Sequence, residues 1–288
     1  MRIVTDSAAD LTQAEIEAHA IHVEPLKIQF PQGEVSSNEI TADAFYNQLE
    51  AMQPDIPTTS QPSAGAFSKI YHKLTQNGED VLSIHISSGL SGTVEAARLA
   101  ARQINDRQIT VVDSLTLSGG QRFQVLAAAR LAEAGRSTAE ILDRLSAIRE
   151  QTEVAYTLET LTYLARGGRI GRVQAIAGAL LRLKPIITVD KQDGKYNSSG
   201  KERTIKRALE KITRHFQERY EPQEPLWVTI LHGRFHEQAE RLAEMAQSQL
   251  NVGKLEILRI SPVLGVHTGP GIVGAAVVPL RLMPGENP

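Results

Sequence analysis

Residues 81–100 contain an apolar run, a loop of small and hydroxyl-bearing residues and a helical run in direct succession: Val81-Leu82-Ser83-Ile84-His85-Ile86-Ser87-Ser88-Gly89-Leu90-Ser91-Gly92-Thr93-Val94-Glu95-Ala96-Ala97-Arg98-Leu99-Ala100. The pattern predicts a strand, a turn at its carboxyl end and the N-terminus of a helix. Unpaired N–H groups and the helix dipole favour an anion at such a place, and glycines allow its close approach. The loop is therefore a candidate carboxylate or phosphate site.

A second hydroxyl-rich loop, Thr58-Thr59-Ser60-Gln61-Pro62-Ser63, precedes a helix predicted to begin near Ala64. Neither loop carries the lysine of a phosphate-binding loop, so an acid-binding site is favoured over a nucleotide site. Serine and threonine are also the usual residues that cap helices. Each loop taken alone is therefore compatible with ordinary capping as well as with ligand binding.

Composition restricts the class of protein. The chain has 288 residues, of which 41% are hydrophobic and 22% are charged, which is typical of a soluble protein of two domains. The net charge of -2 gives no basic field for nucleic acid, and the absence of cysteine excludes disulfides, zinc-thiolate sites and cysteine nucleophiles. The apolar runs are too short to span a membrane or to form a signal peptide. We therefore expect a cytoplasmic protein.

The first half of the chain alternates between predicted strands and helices. Strands are predicted at residues 2–5, 22–30, 81–86 and 109–113, and capping residues such as Thr12, Thr41 and Ser137 mark helices among them and after them. This alternation predicts a parallel sheet covered by helices, with ligands at the carboxyl ends of its strands.

The second half predicts a mixed sheet. Its strands are expected at residues 153–159, 184–189, 195–197, 226–231, 255–260 and 272–278, with a hairpin turn at Asp193-Gly194 and helices at residues 173–181 and 202–220. We place a domain boundary near Glu150. The predicted fold class is α/β with two domains, a parallel-sheet domain over residues 1–150 and a mixed-sheet domain over residues 151–288.

Two patterns that are typical of other functions lack the required context. Gly269-Pro270-Gly271-Ile272-Val273-Gly274 has the spacing of a dinucleotide-binding loop but precedes a strand instead of opening a helix. His232 and His236 have a spacing found in metal sites, but Gly233 lies between them and no third ligand is evident, so a solvated histidine pair is expected and no metal.

His267 lies in a segment, Gly265 to Gly271, that is predicted to be a glycine- and proline-rich loop. Turn formation explains the glycines but not the histidine, which makes it a candidate functional residue. Ser91 could act as a nucleophile, with His267 as base and Asp6 or Asp113 as its orienting acid. The nucleophile-elbow pattern is not met around Ser91, but a hydrolase of acyl esters stays open as the alternative function.

The segment Arg166-Gly167-Gly168-Arg169-Ile170-Gly171-Arg172 places three arginines among three glycines. A solvated basic face is the ordinary interpretation. Glycines also make a loop thin and exposed, which suits an arginine that contacts a phosphate or a partner's carboxylate. We therefore predict that Arg166, Arg169 and Arg172 contribute to a docking surface for a partner.

Taken together, these segments resemble the DegV family of bacterial fatty-acid-binding proteins. The matching pieces are spread over nearly the whole chain in family order: residues 3–11, 59–63, 87–93, 164–170, Lys184-Pro185, Arg203-Thr204 and 267–271. One departure is Asn197-Ser198-Ser199-Gly200, which replaces a more compact lead into the segment containing Arg203.

The resemblance implies that two α/β domains enclose the acyl chain of a long-chain fatty acid such as palmitate, with no other cofactor. It implies that Thr59 and Ser91 bind the carboxylate, beside Ser60, Gly92 and the loop containing His267. It also implies a protein without catalysis of its own, which presents the acid to a separate fatty-acid kinase. Independently, burying roughly fifteen methylenes gains on the order of 12 kcal/mol before ordering costs, and the buried carboxylate must then be hydrogen-bonded.

Overall fold

The structure is a computed structural model that describes residues 1–76, 78–104, 109–174 and 183–286. Most of the helix predicted at residues 173–181 lies outside the described residues. The sequence also predicts helices over about residues 64–77 and 94–105, whose last residues, Asn77 and Asn105, lie outside them too. Within the described parts of the chain, no helix is long and apolar enough to cross a bilayer.

Strands and helices alternate along most of the chain. The strands are β1 Arg2–Asp6, β2 His22–Glu24, β3 Lys27–Phe30, β4 Gly33–Ser36, β5 Thr58–Ser60, β6 Val81–His85, β7 Ile109–Asp113, β8 Glu153–Leu158, β9 Lys184–Val189, β10 Tyr196–Glu202, β11 Leu226–His232, β12 Val252–Arg259 and β13 Ile272–Pro279. The described helices are α1 Gln13–Ala18, α2 Ala42–Ala51, α3 Ala64–Thr75, α4 Thr93–Ile104, α5 Ser118–Glu133, α6 Thr138–Gln151, α7 Thr162–Arg166, α8 Ile205–Arg219, α9 His236–Gln249 and α10 Pro262–Thr268.

The predicted parallel sheet is present in the first half. Its four strands follow the order β2-β1-β6-β7, and every neighbouring pair is parallel. Capping boxes form at Thr12 with Glu15 and at Ser137 with Glu140, and Thr41 and Ser63 cap α2 and α3, as expected from local sequence.

A small antiparallel sheet, in the order β4-β3-β5, corrects two predictions. The predicted strand over residues 22–30 is two strands in different sheets, because Pro25 has no N–H to continue the ladder and the Leu26 N–H is donated to Ser7 Oγ. The predicted loop at residues 58–60 is strand β5, in which Thr59 pairs with Ile28 of β3.

The second half contains the predicted mixed sheet, in the order β10-β9-β8-β13-β11-β12. β9 and β10 form the predicted hairpin around Asp193-Gly194. Among the described strands of this sheet, β11 and β12 are the one parallel pair. Helix α5 connects the halves, because it packs against β1 and β6 on one side and against β13 and β8 on the other. Its residues 118–129 are all buried.

Candidate functional site

The loop after β6 is a tight turn in which the backbone N–H groups of residues 88–91 are bonded within the protein. The Ser87 carbonyl accepts the N–H groups of Leu90 and Ser91, and its hydroxyl oxygen accepts the N–H of Gly89. Asp113, at the end of the neighbouring strand β7, accepts the N–H of Ser88 and so holds the loop from the other side. These bonds fix the position of Ser91 at the carboxyl edge of the sheet.

Ser91 and Gly92 lie immediately before helix α4. Ser91 Oγ lies 2.8 Å from Thr93 Oγ1. A Cβ on Gly92 would lie 2.3 Å from Gln61 Oε1, so the loop adjoins the segment that follows β5. A side chain at position 92 would displace the end of the Gln61 side chain. The two hydroxyl-rich segments predicted from the sequence therefore meet through Gln61 and Gly92.

Strand β5 presents its hydroxyls in two directions. Thr59 Oγ1 lies 2.8 Å from His267 Nε2, a contact between residues 208 positions apart in the chain. Ser60 Oγ instead accepts from Gln29 Nε2 at 3.2 Å. This difference follows from the alternation of side chains along a strand. The structure thus brings Thr59 to His267 and turns the hydroxyl of Ser60 away.

His267 lies in the last turn of helix α10 and not in a loop, which corrects the prediction for residues 265–271. The histidine is 9% exposed, and its Nδ1 has no hydrogen-bond partner among the described residues. Burial lowers the pKa of His267 to about 4, and the charge of Arg169 contributes to the lowering. A Cβ on Gly167 would lie 2.2 Å from Nδ1, so α7 must end in a residue without a side chain here.

The three predicted docking arginines have different surroundings. Arg166 donates to the carbonyl of Pro54, and Arg169 donates to the carbonyl of Gly167 at 2.7 Å. Arg172 is ion-paired with Asp190 and Asp193 of the β9–β10 hairpin. All three side chains are exposed, but the charge of Arg169 reaches His267, so the basic segment adjoins the hydroxyl site.

An apolar cavity lies next to this site. A volume of about 30 Å³ lies among side chains from the start of α5, from β8, β11 and β13 and from α10, including Leu117, Val154, Tyr156, Leu231, Leu264, Thr268 and Ile272. This is the space of about one water molecule, so a larger ligand enters only if the lining side chains move apart. Thr268 lines the cavity and follows His267 directly. The sequence therefore joins the polar site to an apolar space within one turn of helix.

The catalytic triad considered for a hydrolase is not formed. His267 bonds Thr59, and Ser91 bonds Thr93, so no hydrogen bond joins the two within the described residues. Asp6 contacts His85 at 3.0 Å, in a fully buried network. Asp113 accepts from the loop backbone, as described above. Neither acid orients His267.

The expectation of a solvated histidine pair at His232 and His236 is wrong for His232. The rings lie 5.4 Å apart, but His232 is buried at the end of β11, whereas His236 is exposed. Burial lowers the pKa of His232 to about 4, with further lowering by the charges of Arg259 and His236.

Sequence reasoning assigned no role to Gln61, Gly167 or Tyr156. Gln61 and Gly167 lie within the segments that resemble the family, but the sequence of those segments does not show which distant residue each one contacts. Tyr156 lines the apolar cavity and packs edge-to-face with Tyr196 at 5.9 Å. The small residues Gly274-Ala275-Ala276 in β13 were a usable signal, because such a run in a strand leaves space on its faces.

The protein is of the α/β class, and hydroxyls and a buried histidine lie beside a small apolar cavity. A family model described as "Uncharacterised protein, DegV family" matches residues 1–280. The chain therefore belongs to the DegV family.

Relatives and solved structures are similar to this chain along almost its full length. A DegV domain-containing protein of Deinococcus radiodurans is 36% identical over 277 residues, which cover 96% of this chain and 95% of the relative. A DegV family protein from Thermus thermophilus, described by its fatty acid binding, has a TM-score of 0.90 at 34% identity and covers 97% of this chain and 100% of its own. A stearic acid-binding protein from Eubacterium ventriosum has a TM-score of 0.86 at 27% identity, with coverage of 97% and 98%.

Proposed function

We propose that this protein binds a long-chain fatty acid such as palmitate, with the carboxylate at Thr59, Ser91, Gly92 and His267. The acyl chain enters at the apolar cavity and moves its lining side chains apart. The observation that carries the proposal is the contact of Thr59 with His267, one residue from the cavity wall. The fatty-acid-binding proteins of the same family support it. The hydroxyl of Ser60 faces Gln29, so we assign it no role.

The site can hold a carboxylate without a full countercharge. In the tautomer with its proton on Nε2, His267 donates to Thr59 Oγ1, whose own hydroxyl hydrogen is then available to an anion. The hydroxyl of Ser91 adds a donor, whereas the N–H groups of residues 88–91 are already donated to Ser87 and Asp113. Hydrogen bonds to a charged group are the stronger class, which offsets the cost of desolvating the acid.

Mass spectrometry of lipid extracted from the denatured, purified protein tests this function. We expect an acid of about fourteen to eighteen carbons in stoichiometric amount, the length whose burial yields the favourable energy estimated above. A protein that is empty and also fails to take up labelled fatty acid would contradict the proposal. Covalent labelling of Ser91 by a fluorophosphonate, with esterase activity lost in Ser91→Ala, would favour the hydrolase instead.

We further propose that the bound carboxylate is presented to a separate fatty-acid kinase in the cytoplasm, with Arg166, Arg169 and Arg172 at the docking surface. Arg169 is the central residue of this proposal, because it is exposed and its charge reaches the carboxylate site. Cations near a transferring phosphoryl group stabilise its developing charge. The role is lipid transport within fatty acid metabolism, not catalysis by this chain.

Arg169→Ala tests the docking proposal. We expect fatty-acid binding to stay near the wild-type level and acyl-phosphate formation with a bacterial fatty-acid kinase to fall. The deficit relative to wild type should be largest at low salt, because salt screens exposed charges that act on association. Arg241→Ala is the matched control, since Arg241 is also exposed but pairs with Glu237 on helix α9. Loss of the fatty acid itself in Arg169→Ala would assign the arginine to the carboxylate site.

A further inference from the structure

The tip of the β9–β10 hairpin, residues 190–195, packs directly on the loop that carries Ser91. A Cβ on Gly194 would lie 1.8 Å from Ser87 Oγ, and a Cβ on Gly89 would lie 2.4 Å from the carbonyl oxygen of Asp193. Two glycines facing each other thus let backbone of the second half approach backbone of the first half. A side chain on either residue would force the two segments apart.

Ser87 is the residue on which the loop turns. Its carbonyl accepts the N–H of Ser91, and its side chain is completely buried. A displacement of Ser87 therefore moves the backbone of Ser91. The hairpin therefore contacts a buried residue of the loop, in addition to its exposed rim.

The hairpin tip is itself held in one conformation. The Gly194 N–H donates to the Asp190 carbonyl at 2.8 Å, and Asp190 in turn receives the Arg172 guanidinium at 3.0 Å. Arg172 also pairs with Asp193, so one arginine joins two carboxylates of the tip. At the other end of the tip, Tyr196 is buried against Tyr156 of the cavity wall.

We infer that residues 190–195 are a brace for the carboxylate site, and that Gly194 and Arg172 are positioning residues for the hydroxyl of Ser91. The inference rests on the proposed function and deepens it. It gives Arg172 a second role, because its exposed side chain holds the hairpin tip in addition to its place in the proposed docking surface. The chemical group that the brace serves is the carboxylate of the ligand, not its acyl chain.

Gly194→Ala is the direct test, with Gly135→Ala as its matched control. The φ angles are +64° at Gly194 and +72° at Gly135, so alanine imposes similar backbone strain at both, but a Cβ on Gly135 meets nothing within 4 Å. Affinity is measured by titrating delipidated protein with a fluorescent long-chain fatty acid and, separately, with the methyl ester of the same acid.

We expect Gly194→Ala to bind the acid roughly tenfold more weakly than Gly135→Ala, the effect of misplacing a donor to a charged group. The affinity for the ester should be the same in both variants. Equal affinity for the acid in the two variants, or an equal loss for acid and ester, would overturn the inference. Wild-type protein that binds neither ligand would instead contradict the proposed function.

Arg172 provides a second test that does not depend on how Gly194→Ala folds. Arg172→Gln should weaken binding of the acid about threefold and leave the ester unchanged, because exposed ion pairs contribute modestly. Arg172→Lys keeps the charge and should restore most of the affinity. A lysine variant as weak as the glutamine variant, with thermal stability equal to wild type, would contradict a positioning role for the ion pair.

Discussion

At the scale of single residues, the hydroxyl of Thr59 and the imidazole of His267 form a pair whose charge state is fixed by burial. The histidine stays neutral above about pH 4, which is the lowered value of its pKa. A neutral ring can donate through Nε2 and leave the threonine hydrogen to a ligand. The pair therefore provides a directed hydrogen-bond donor over the ordinary range of pH.

We predict that Thr59→Val and Ser91→Ala each weaken fatty-acid binding by roughly 1.5–3 kcal/mol, the loss of a hydrogen bond to a charged group. Ser60→Ala is the control on the same strand, because the hydroxyl of Ser60 faces Gln29 and its removal should change affinity little. Titration with a fluorescent fatty acid measures all three. A Ser60 variant as weak as the Thr59 variant would show that the two hydroxyls act together.

Asp10 is a second residue whose environment determines its chemistry. It accepts the Ser261 N–H at 2.7 Å and the Ser118 hydroxyl, and burial raises its pKa to about 6 against the lowering effect of these bonds. A raised pKa means that the folded state favours the protonated acid. The stability contributed by this preference is complete below about pH 4 and is lost as the pH rises through 6.

Asp10→Asn should therefore gain stability relative to wild type as the pH rises from 4 to 7. Asparagine tolerates the φ of 51° at this position and keeps an acceptor for Ser261. The gain approaches about 3 kcal/mol, since each unit of pKa shift corresponds to about 1.4 kcal/mol. Urea unfolding of both proteins across this range measures it. Parallel stability curves would show that Asp10 titrates at its ordinary pKa in the folded protein.

At the scale of elements, helix α5 requires a glycine where it packs against the six-stranded mixed sheet. A Cβ on Gly119 would lie 2.6 Å from Ala276 Cβ and 3.0 Å from Leu231 Cδ1, both of which belong to strands of that sheet. The helix is therefore packed against β13 and β11 at a distance that only glycine allows. The same approach shapes the apolar cavity, which Ser118 and Leu231 line.

Gly119→Ala should destabilise the protein by about 1–3 kcal/mol, the cost of overpacking a close-packed core. Gly65→Ala is the control, because Gly65 is an exposed glycine in helix α3 whose Cβ would meet only Ser63 Oγ at 3.7 Å. There alanine should stabilise by roughly 0.5–1 kcal/mol through helix propensity. Chemical denaturation compares the two, and a stabilised Gly119 variant would contradict the close approach.

The elements that the sequence predicted well are those specified by local chemistry. Helices with capping residues and strands with apolar runs were located to within a few residues, because caps and periodicity act over short distances. Strand β5 and helix α10 were missed, because one is defined by pairing with β3 and the other carries glycine and proline. The site shows the same limit. Thr59, Ser91 and His267 were each recognised, but the bond between Thr59 and His267 joins segments that only the packed molecule brings together.

At the scale of the whole molecule, the two halves share one hydrophobic core. The largest apolar cluster contains Ile3 and Leu82 of the first sheet, Phe123 of α5, and Tyr156 and Trp227 of the second sheet. The boundary predicted near residue 150 precedes the first strand of the second sheet, but the core continues across it. The division into two domains remains a prediction about sequence organisation, and we expect residues 1–150 alone to lack stable structure.

Arg122 joins these halves by charge as well as by packing. It lies on α5 with 1% exposure, and it donates to Glu15 of α1 and to Glu256 of β12, which also accepts from Trp227 at 2.7 Å. Burial alone would raise the pKa of Glu256, but the hydrogen bonds and charge of Arg122 outweigh it and lower that pKa. A lowered pKa contributes stability that is present above the unfolded value, about 4.3, and is lost as the pH falls through the folded value.

Arg122→Met should therefore destabilise the whole protein by about 3 kcal/mol at neutral pH, because it leaves two partly buried carboxylates without their partner. The deficit should shrink in acid, where protonation removes the uncompensated charges. Arg136→Met is the control, since its pair with Glu140 is more than half exposed on both sides and should contribute less than about 0.5 kcal/mol.

Urea unfolding, followed by both tryptophan fluorescence and circular dichroism, measures this effect. Trp227 is the single tryptophan and lies beside the network of Arg122. If Arg122 couples the halves, the two signals should still coincide in wild type and separate in the variant. A variant as stable as the control, with coincident signals, would assign the cohesion of the two halves to apolar packing alone.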